Sequence, residues 1–367
     1  MGNNLVVEIG KRKVRVKSLV AEGGFGYVYK AVDEERREYV LKMVRIPIRE
    51  GQLVNEEAAE MAALEHSILR SLPSNHPNIV KFYDMDVHKV ECEVRYLTLA
   101  EYCPSTVLHK INVAKDKGRM LSESDILLIF RDALMAVLEL HNMSPPIAHR
   151  DLKVENMLIG SDGLVKLCDF GSCSTSHRAY VGSQDIQLAQ EEIRRHTTAA
   201  YRAPEQVDPY TGHVLSEKVD IWALGVLLFK LAFFHTPFED MRGNVEVMGI
   251  LNGLMDNKIP QGHRFSGGLI DIMRYCLVLN PDERPTVGQV LKRCEQLRDN
   301  GLLLDWPGMD TLPRTPPSVG GSSHHAWGEE DSAGDTSLRS GETTRPGTDA
   351  ESGDATVTPA LSNAGVG

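Results

Sequence analysis

The chain has no excess of basic charge: its 40 Lys and Arg face 51 Asp and Glu, a net charge of −11, which makes the phosphate backbone of a nucleic acid a poor partner. It has no apolar run long enough to cross a membrane. The longest, Ile221 to Phe234, is interrupted by Lys230 and falls short of the ~20 residues a span needs, so it reads as a buried helix. The N-terminus lacks the charged, apolar, small-residue order of a secretory signal. The six cysteines (Cys92, Cys103, Cys168, Cys173, Cys276, Cys294) lack metal-ligand pairing, and both absences favour a reducing, cytoplasmic setting with free thiols. No internal repeat of solenoid period is present. What the chain does have is length: 367 residues exceed the ~250–300 that one core sustains, so two packed lobes or a domain plus a tail are expected.

Charge is unevenly spread. From Asp305 to Gly367 ten acids face only three arginines (Arg314, Arg339, Arg345). Roughly half of that stretch is Gly, Pro, Ser and Thr, too little apolar surface to offset ordering entropy, so 305–367 is expected to be a disordered acidic tail. Before it, Leu5 to Ile9 and Val14 to Val20 alternate around Gly10 as a hairpin, and Gly23 to Val32 with Glu38 to Arg45 reads as a second. From Asn55 to Leu72 the apolar positions take helical spacing until Pro73. Further helices are predicted over Ser122–Met143, Val219–Phe234, Val245–Met255, Gly268–Leu279 and Val287–Leu297. A small β-rich lobe with one helix followed by a larger helical lobe is the inferred architecture.

Ala21-Glu22-Gly23-Gly24-Phe25-Gly26 lies between two predicted strands, where glycines let a backbone approach phosphate oxygens and point N–H groups at them; a plain hairpin turn explains the glycines equally well. Lys42 ends the next strand in reach of such phosphates. A Glu on the following helix is needed to hold its ammonium, and Glu65, mid-helix beside the apolar stripe, is preferred to Glu56, Glu57 and Glu60. His149-Arg150-Asp151-Leu152-Lys153-Val154-Glu155-Asn156 and Cys168-Asp169-Phe170-Gly171 are the most specific stretches. Phosphoryl transfer needs a carboxylate on the attacking hydroxyl, a divalent metal across the phosphates and cations on the developing charge. Asp151 suits the first role, Asn156 and Asp169 offer hard oxygens to Mg²⁺, and Lys153 suits the γ-phosphate.

Ala203-Pro204-Glu205, Asp220-Ile221-Trp222-Ala223-Leu224-Gly225 and Arg284 follow in order, and with them the sequence from the first hairpin to about Leu297 resembles the eukaryotic protein kinases. Lys153 and Thr198 match the serine/threonine pattern, in which that Thr contacts the catalytic Asp and Lys. The closer resemblance is to the Numb-associated kinase family, with its adaptor-associated and cyclin-G-associated members. Its marks are Ala21 to Phe25 with Ala in the first glycine position, Val154-Glu155 before Asn156, Leu167 to Ser172, and Glu191 to Thr198 ahead of Tyr201-Arg202-Ala203-Pro204-Glu205.

The resemblance implies an α+β, bilobal protein-kinase fold: N-lobe over 1–100, hinge 101–104, mainly helical C-lobe 105–304. It implies transfer of the γ-phosphate of ATP, with Mg²⁺ or Mn²⁺, to Ser or Thr of proteins, Thr preferred, in membrane traffic or actin regulation. Nucleotide contacts are implied for Ala21, Glu22, Gly23, Gly24, Phe25, Gly26, Val28, Val40, Lys42, Ala100, Glu101 and Cys103, with Ala100 bounding the back of the adenine pocket. It also implies a Glu205–Arg284 pair, Asp220 as a brace for the catalytic loop, a spine of Phe170, His149 and Leu69, and an extra helix within Gln206–Glu217. The rival is a catalytically silent kinase-like scaffold, and a small-molecule kinase is a distant third. Lys42, Glu65, Asp151, Asn156 and Asp169 are all present, which favours the enzyme.

Other features carry two readings. Met1-Gly2 with Lys11, Arg12, Lys13, Arg15 and Lys17 suggests a lipidated, basic membrane anchor, yet Val6 stands where acylation wants Ser or Thr, and alternating bases are ordinary on a wet strand face. Ser172, Ser174, Thr175, Ser176, Ser183 and Thr197 are phosphate acceptors that Arg150 could pair with, or plain loop hydroxyls. Cys168 is either open to electrophiles or a buried structural thiol. Pro313-Arg314-Thr315-Pro316-Pro317 suits an SH3-like groove, though short Pro-rich matches in tails are mostly uninformative.

Overall fold

A computed structural model of the chain describes residues 5–23, 26–240 and 242–298, all within one compact unit. Gly2, Gly24, Phe25, the acidic tail and its Pro-rich segment lie outside the described residues.

The opening residues build an antiparallel sheet from strands β1 (Val6–Ile9), β2 (Arg12–Gly23), β3 (Gly26–Val32), β4 (Glu38–Arg49), β5 (Gln52–Leu53), β6 (Phe82–Val90) and β7 (Glu93–Glu101), in the order β1-β2-β3-β4-β7-β6 with β5 on β4. Alternation decides which face is dry: Val14 and Val16 are buried while Lys13, Arg15 and Lys17 between and beside them are exposed. Ile9, Leu41, Leu97 and Leu99 are fully buried in the sheet's own apolar cluster. The basic run is thus the wet face of β2, with Arg12 held by Asp84 and Lys13 by Glu8.

Helix α1 (Glu56–Ser71) crosses this sheet. The Asn55 side chain caps it by accepting from the Ala58 N–H, and Glu56 and Glu57 oppose the N-terminal end of its dipole. Its apolar stripe (Ile68, Leu69, Leu72) enters the main core of the second lobe.

That lobe comprises β8 (Ser105–Thr106), α2 (Val107–Asp116), α3 (Glu123–His141), the hairpin β9 (Met157–Ile159) and β10 (Val165–Leu167), α4 (Ser183–His196), α5 (Pro204–Val207), α6 (Lys218–Phe233), α7 (Val247–Asn252), α8 (Gly267–Cys276) and α9 (Val287–Leu297). Helix α6 is buried on all sides, as its near-continuous apolar sequence requires. Among the described residues no helix is long and apolar enough to cross a membrane.

The fold departs from expectation between Gly171 and Glu217. The long helix of this region is α4, which precedes Ala203-Pro204-Glu205, whereas Gln206–Glu217 holds only the end of α5 and a single turn, Pro209–Thr211. Pro209 interrupts the helical backbone and Gly212 closes the turn at φ +74°. In α4 the buried positions Ile186, Ala189, Ile193 and His196 repeat at helical spacing, but they stand among polar residues that mute the pattern. Helix α2 also went unpredicted, and α7 is shorter than its expected Val245–Met255.

Glu205 and Arg284 form a buried bidentate pair at 2.7 and 3.0 Å. Arg284 also donates to the carbonyls of Lys218, Val278 and Leu279, so its remaining protons are satisfied. Removing one charge of such a pair strands the other, so Glu205→Gln is expected to cost about 3–5 kcal/mol in urea unfolding, with loss under about 1 kcal/mol contradicting the account.

Candidate active site

Register across the sheet aligns Ala21 with Val28, Val28 with Lys42 and Lys42 with Thr98, while Val40 pairs with Ala100 one step along the same face. Gly26, at φ +113°, closes the β2–β3 turn where an added Cβ would sit 2.4 Å from the Met43 carbonyl oxygen; only glycine fits. Glu22 is exposed at the next position along the pleat, and Gly23 pairs with Gly26 at the turn. Ala100 packs with Val80, Phe82, Cys103, Leu158 and Cys168 in one small apolar cluster, so the small residue faces the segment leading into Asp169. Glu101 accepts from the Lys81 N–H and pairs with Lys166 at 3.1 Å.

Lys42 Nζ lies 2.7 Å from Glu65 Oε1 and 3.0 Å from Asp169 Oδ1. Burial works to lower the Lys42 pKa, but Asp169 and Glu65 together raise it above the ordinary lysine value. For Asp169 burial works upward and Lys42 outweighs it, leaving the carboxylate below its usual range. Glu56, Glu57 and Glu60 are exposed, so Glu65 is the glutamate that reaches the lysine.

The catalytic-loop stretch is held from below. Asp220, fully buried on α6, accepts from the backbone N–H groups of His149 (2.7 Å) and Arg150 (2.8 Å) and lies 2.9 Å from His141 Nε2. Burial pushes its pKa upward, and the His141 bond, neighbouring charge and the His149 N–H more than reverse it. These bonds secure Arg150 at φ +67°, a conformation a non-glycine residue rarely adopts; Asp169 sits at φ +61°. Phe170 packs edge-on against His149 (5.5 Å) and Phe82 (5.8 Å), and shares the main core cluster with Leu69.

Asp151 stands at the centre. Thr198 Oγ1 donates to its Oδ1 at 2.6 Å, Lys153 Nζ contacts its Oδ2 at 2.6 Å, and Lys153 also reaches Thr198 Oγ1 at 3.0 Å. Asn156 Nδ2 donates to the Asp151 carbonyl at 2.8 Å, which commits the amide nitrogen inward and leaves the amide oxygen available. With the Asp169 carboxylate that gives two hard oxygen donors, a fit for magnesium, which binds few protein groups and completes its shell with water and phosphate. Among the described residues no three His, Cys, Asp or Glu side chains converge as a protein-only metal cage.

Sequence reasoning missed His141, which carries no local signal, and Glu192 on α4, which bonds Arg150. Burial pushes the Cys103 thiol up to about 12, and desolvation raises the Cys168 thiol above its usual value although its side chain is part-exposed.

Behind Glu65 on α1, His66 is buried, with Nε2 3.0 Å from Thr98 Oγ1 and its ring edge-on to Tyr96. Burial first, then Arg70 and Lys42, depress its pKa to about 4. The folded state therefore keeps this ring neutral while the unfolded chain protonates it. Stability is expected to fall as pH drops from about 6.5 toward about 4, by up to about 1.4 kcal/mol per pH unit. Denaturant titrations of wild type and His66→Gln check this; an unchanged slope in the variant would rule His66 out as the source.

Residues 14–294 match the family model for the protein kinase domain. Two probable serine/threonine-protein kinases of Dictyostelium discoideum are similar to this chain. One is 36% identical over 296 residues (80% of this chain, 35% of the relative), the other 39% over 306 residues (82% and 26%). The actin-regulating kinase PRK1 of Saccharomyces cerevisiae is 33% identical over 302 residues, covering 80% of this chain and 35% of PRK1. The chain spans roughly a quarter to a third of the length of these curated relatives. With the kinase domain matched over most of its length, and relatives that carry serine/threonine kinase names, the chain belongs to the protein kinase family.

Proposed function

We propose that the chain transfers the γ-phosphate of ATP to serine and threonine hydroxyls of proteins. The observation that carries this is the Asp151 cluster, where Lys153 holds one carboxylate oxygen and Thr198 the other. In this reading the substrate hydroxyl oxygen attacks the γ-phosphorus, the bond to the β-phosphate oxygen breaks, and ADP leaves. Asp151 orients the hydroxyl and accepts its proton. Lys153 sets positive charge beside the transferring phosphoryl group, and Lys42, steered by Glu65, binds the α- and β-phosphates. Asn156 and Asp169 are the residues that would hold magnesium, which would supply neutralisation of phosphate charge. Ala21, Val28, Val40, Ala100, Glu101 and Cys103 frame the adenine ring, with Gly23 and Gly26 on the phosphate side.

The finer reading follows the resemblance: a member of the Numb-associated kinases, preferring Thr, cytoplasmic, and acting in membrane traffic or actin regulation. Similarity to a kinase named as actin-regulating supports the last element, and six unpaired cysteines support the compartment.

Transfer of labelled phosphate to a mixed Ser/Thr/Tyr peptide array tests the reaction. Asp151→Asn is expected to lower kcat by about 10²-fold or more, with nucleotide binding retained. Asp169→Ala is expected to abolish transfer. Activity unchanged in both variants would defeat the assignment, and silence in all three proteins despite bound nucleotide would point to the scaffold instead. The small Ala100 leaves room for bulky substituents on adenine-like inhibitors, so Ala100→Met is expected to weaken them about tenfold or more in competition assays. Equal inhibition would displace Ala100 from the pocket wall.

A further inference from the structure

In the kinase fold the segment between the metal-binding Asp and the Ala-Pro-Glu element is commonly ordered by phosphorylation, through new pairs between phosphate and arginine. The arginine suited to that role here is Arg150, beside Asp151. Its guanidinium is already engaged: Nε donates to the Ser172 carbonyl at 2.6 Å and Nη1 to Glu192 Oε1 at 2.7 Å. Glu192 belongs to α4, in the middle of the same segment. A carboxylate of the chain itself thus occupies the position where a phosphate would be recruited.

The rest of α4 agrees. Ile186 and Ala189 pack with Tyr180 in an apolar cluster that Leu215 joins, which orders the helix independently of charge. At its C-terminal end Thr197 Oγ1 donates to the Ile193 carbonyl, and Arg202 donates to the Thr197 hydroxyl and carbonyl. The next residue, Thr198, bonds Asp151 through both its N–H (3.1 Å) and its hydroxyl. The Glu192–Arg150 bond therefore joins the two ends of one short path, from α4 through Thr198 to Asp151 and back along the backbone to Arg150. A second tie, Arg195 to Glu57 on α1, is exposed at both ends and screened by solvent, so it adds little.

We infer that Glu192 is a positioning residue that replaces an activating phosphate, so that the segment 171–203 takes its productive arrangement without phosphorylation. This rests on the reading of the cleft as a phosphotransferase site. It also assigns Ser174, Thr175, Ser176 and Ser183 no activating role, although all four lie in the segment.

The test uses the full chain, treated with phosphatase and verified by intact mass. The unphosphorylated protein is expected to match its autophosphorylated form within about twofold in kcat, as is a variant with Ser174, Thr175, Ser176 and Ser183 all changed to Ala. Glu192→Gln is expected to lower kcat about tenfold or more at little-changed ATP KM, with Glu192→Asp recovering much of the loss. Hydrogen exchange over 171–203 is expected to quicken in Glu192→Gln while the α6 amides stay protected, a local change that general destabilisation would not give. Activity that appears only after phosphorylation, or Glu192→Gln indistinguishable from wild type in rate and exchange, overturns the inference. If the wild-type chain is no more active than Asp151→Asn in either form, the underlying reading falls and the inference with it.

Discussion

The catalytic loop depends on one buried carboxylate. Asp220 is cut off from water on a helix that is apolar all round, where an unpaired charge is costly, and it is satisfied by the two backbone N–H groups of His149 and Arg150 together with His141. Two N–H donors converging on one carboxylate dictate the path of the backbone between them, including the left-handed Arg150. Asp151 follows immediately, so its direction is inherited from a bond made on the far side of the loop. The strain at Arg150 is sustained because α6, the core and the carboxylate all oppose its relaxation.

A second constraint joins the two lobes. Lys42 comes from the sheet, Glu65 from α1 and Asp169 from the loop after β10, and their charges meet within 3.0 Å. The two carboxylates raise the lysine pKa and the lysine lowers that of Asp169. Such a triad forms only when helix α1 is docked, which ties the geometry of Lys42 to the position of the helix. Phe170 and Leu69 in the common core supply the apolar counterpart of the same link. Between Asp220 below and the triad above, α4 adds its own carboxylate to Arg150, so four carboxylates at three places define where the loop, the lobe and the segment come to rest.

Legibility in the sequence tracked whether an element's character was local. The first two hairpins, α1, α3, α6, α8 and α9 follow from alternation and spacing that lie within each segment. Helix α4 did not announce itself, because its buried face is narrow and its other residues are polar; it is stabilised by Tyr180 and Leu215 from outside the helix. Resemblance alone located an extra helix after Glu205, and Pro209 and Gly212 exclude a long one there. Glu65 was separable from its neighbours only by the direction of the helix face, which packing against the sheet decides.

By itself the sequence determined which groups are available, the carboxylates of Asp151 and Asp169, the Asn156 amide and the Lys42 ammonium, and the strands and helices that follow from residue periodicity. Only the tertiary structure decided the electrostatics. That His141 supports Asp220 and that Glu192 rather than a loop hydroxyl meets Arg150 are matters of distance between groups remote in the chain. The physical reason is that a charge interacts through space. Its partner is set by the packing of whole elements, which no local pattern of residues encodes.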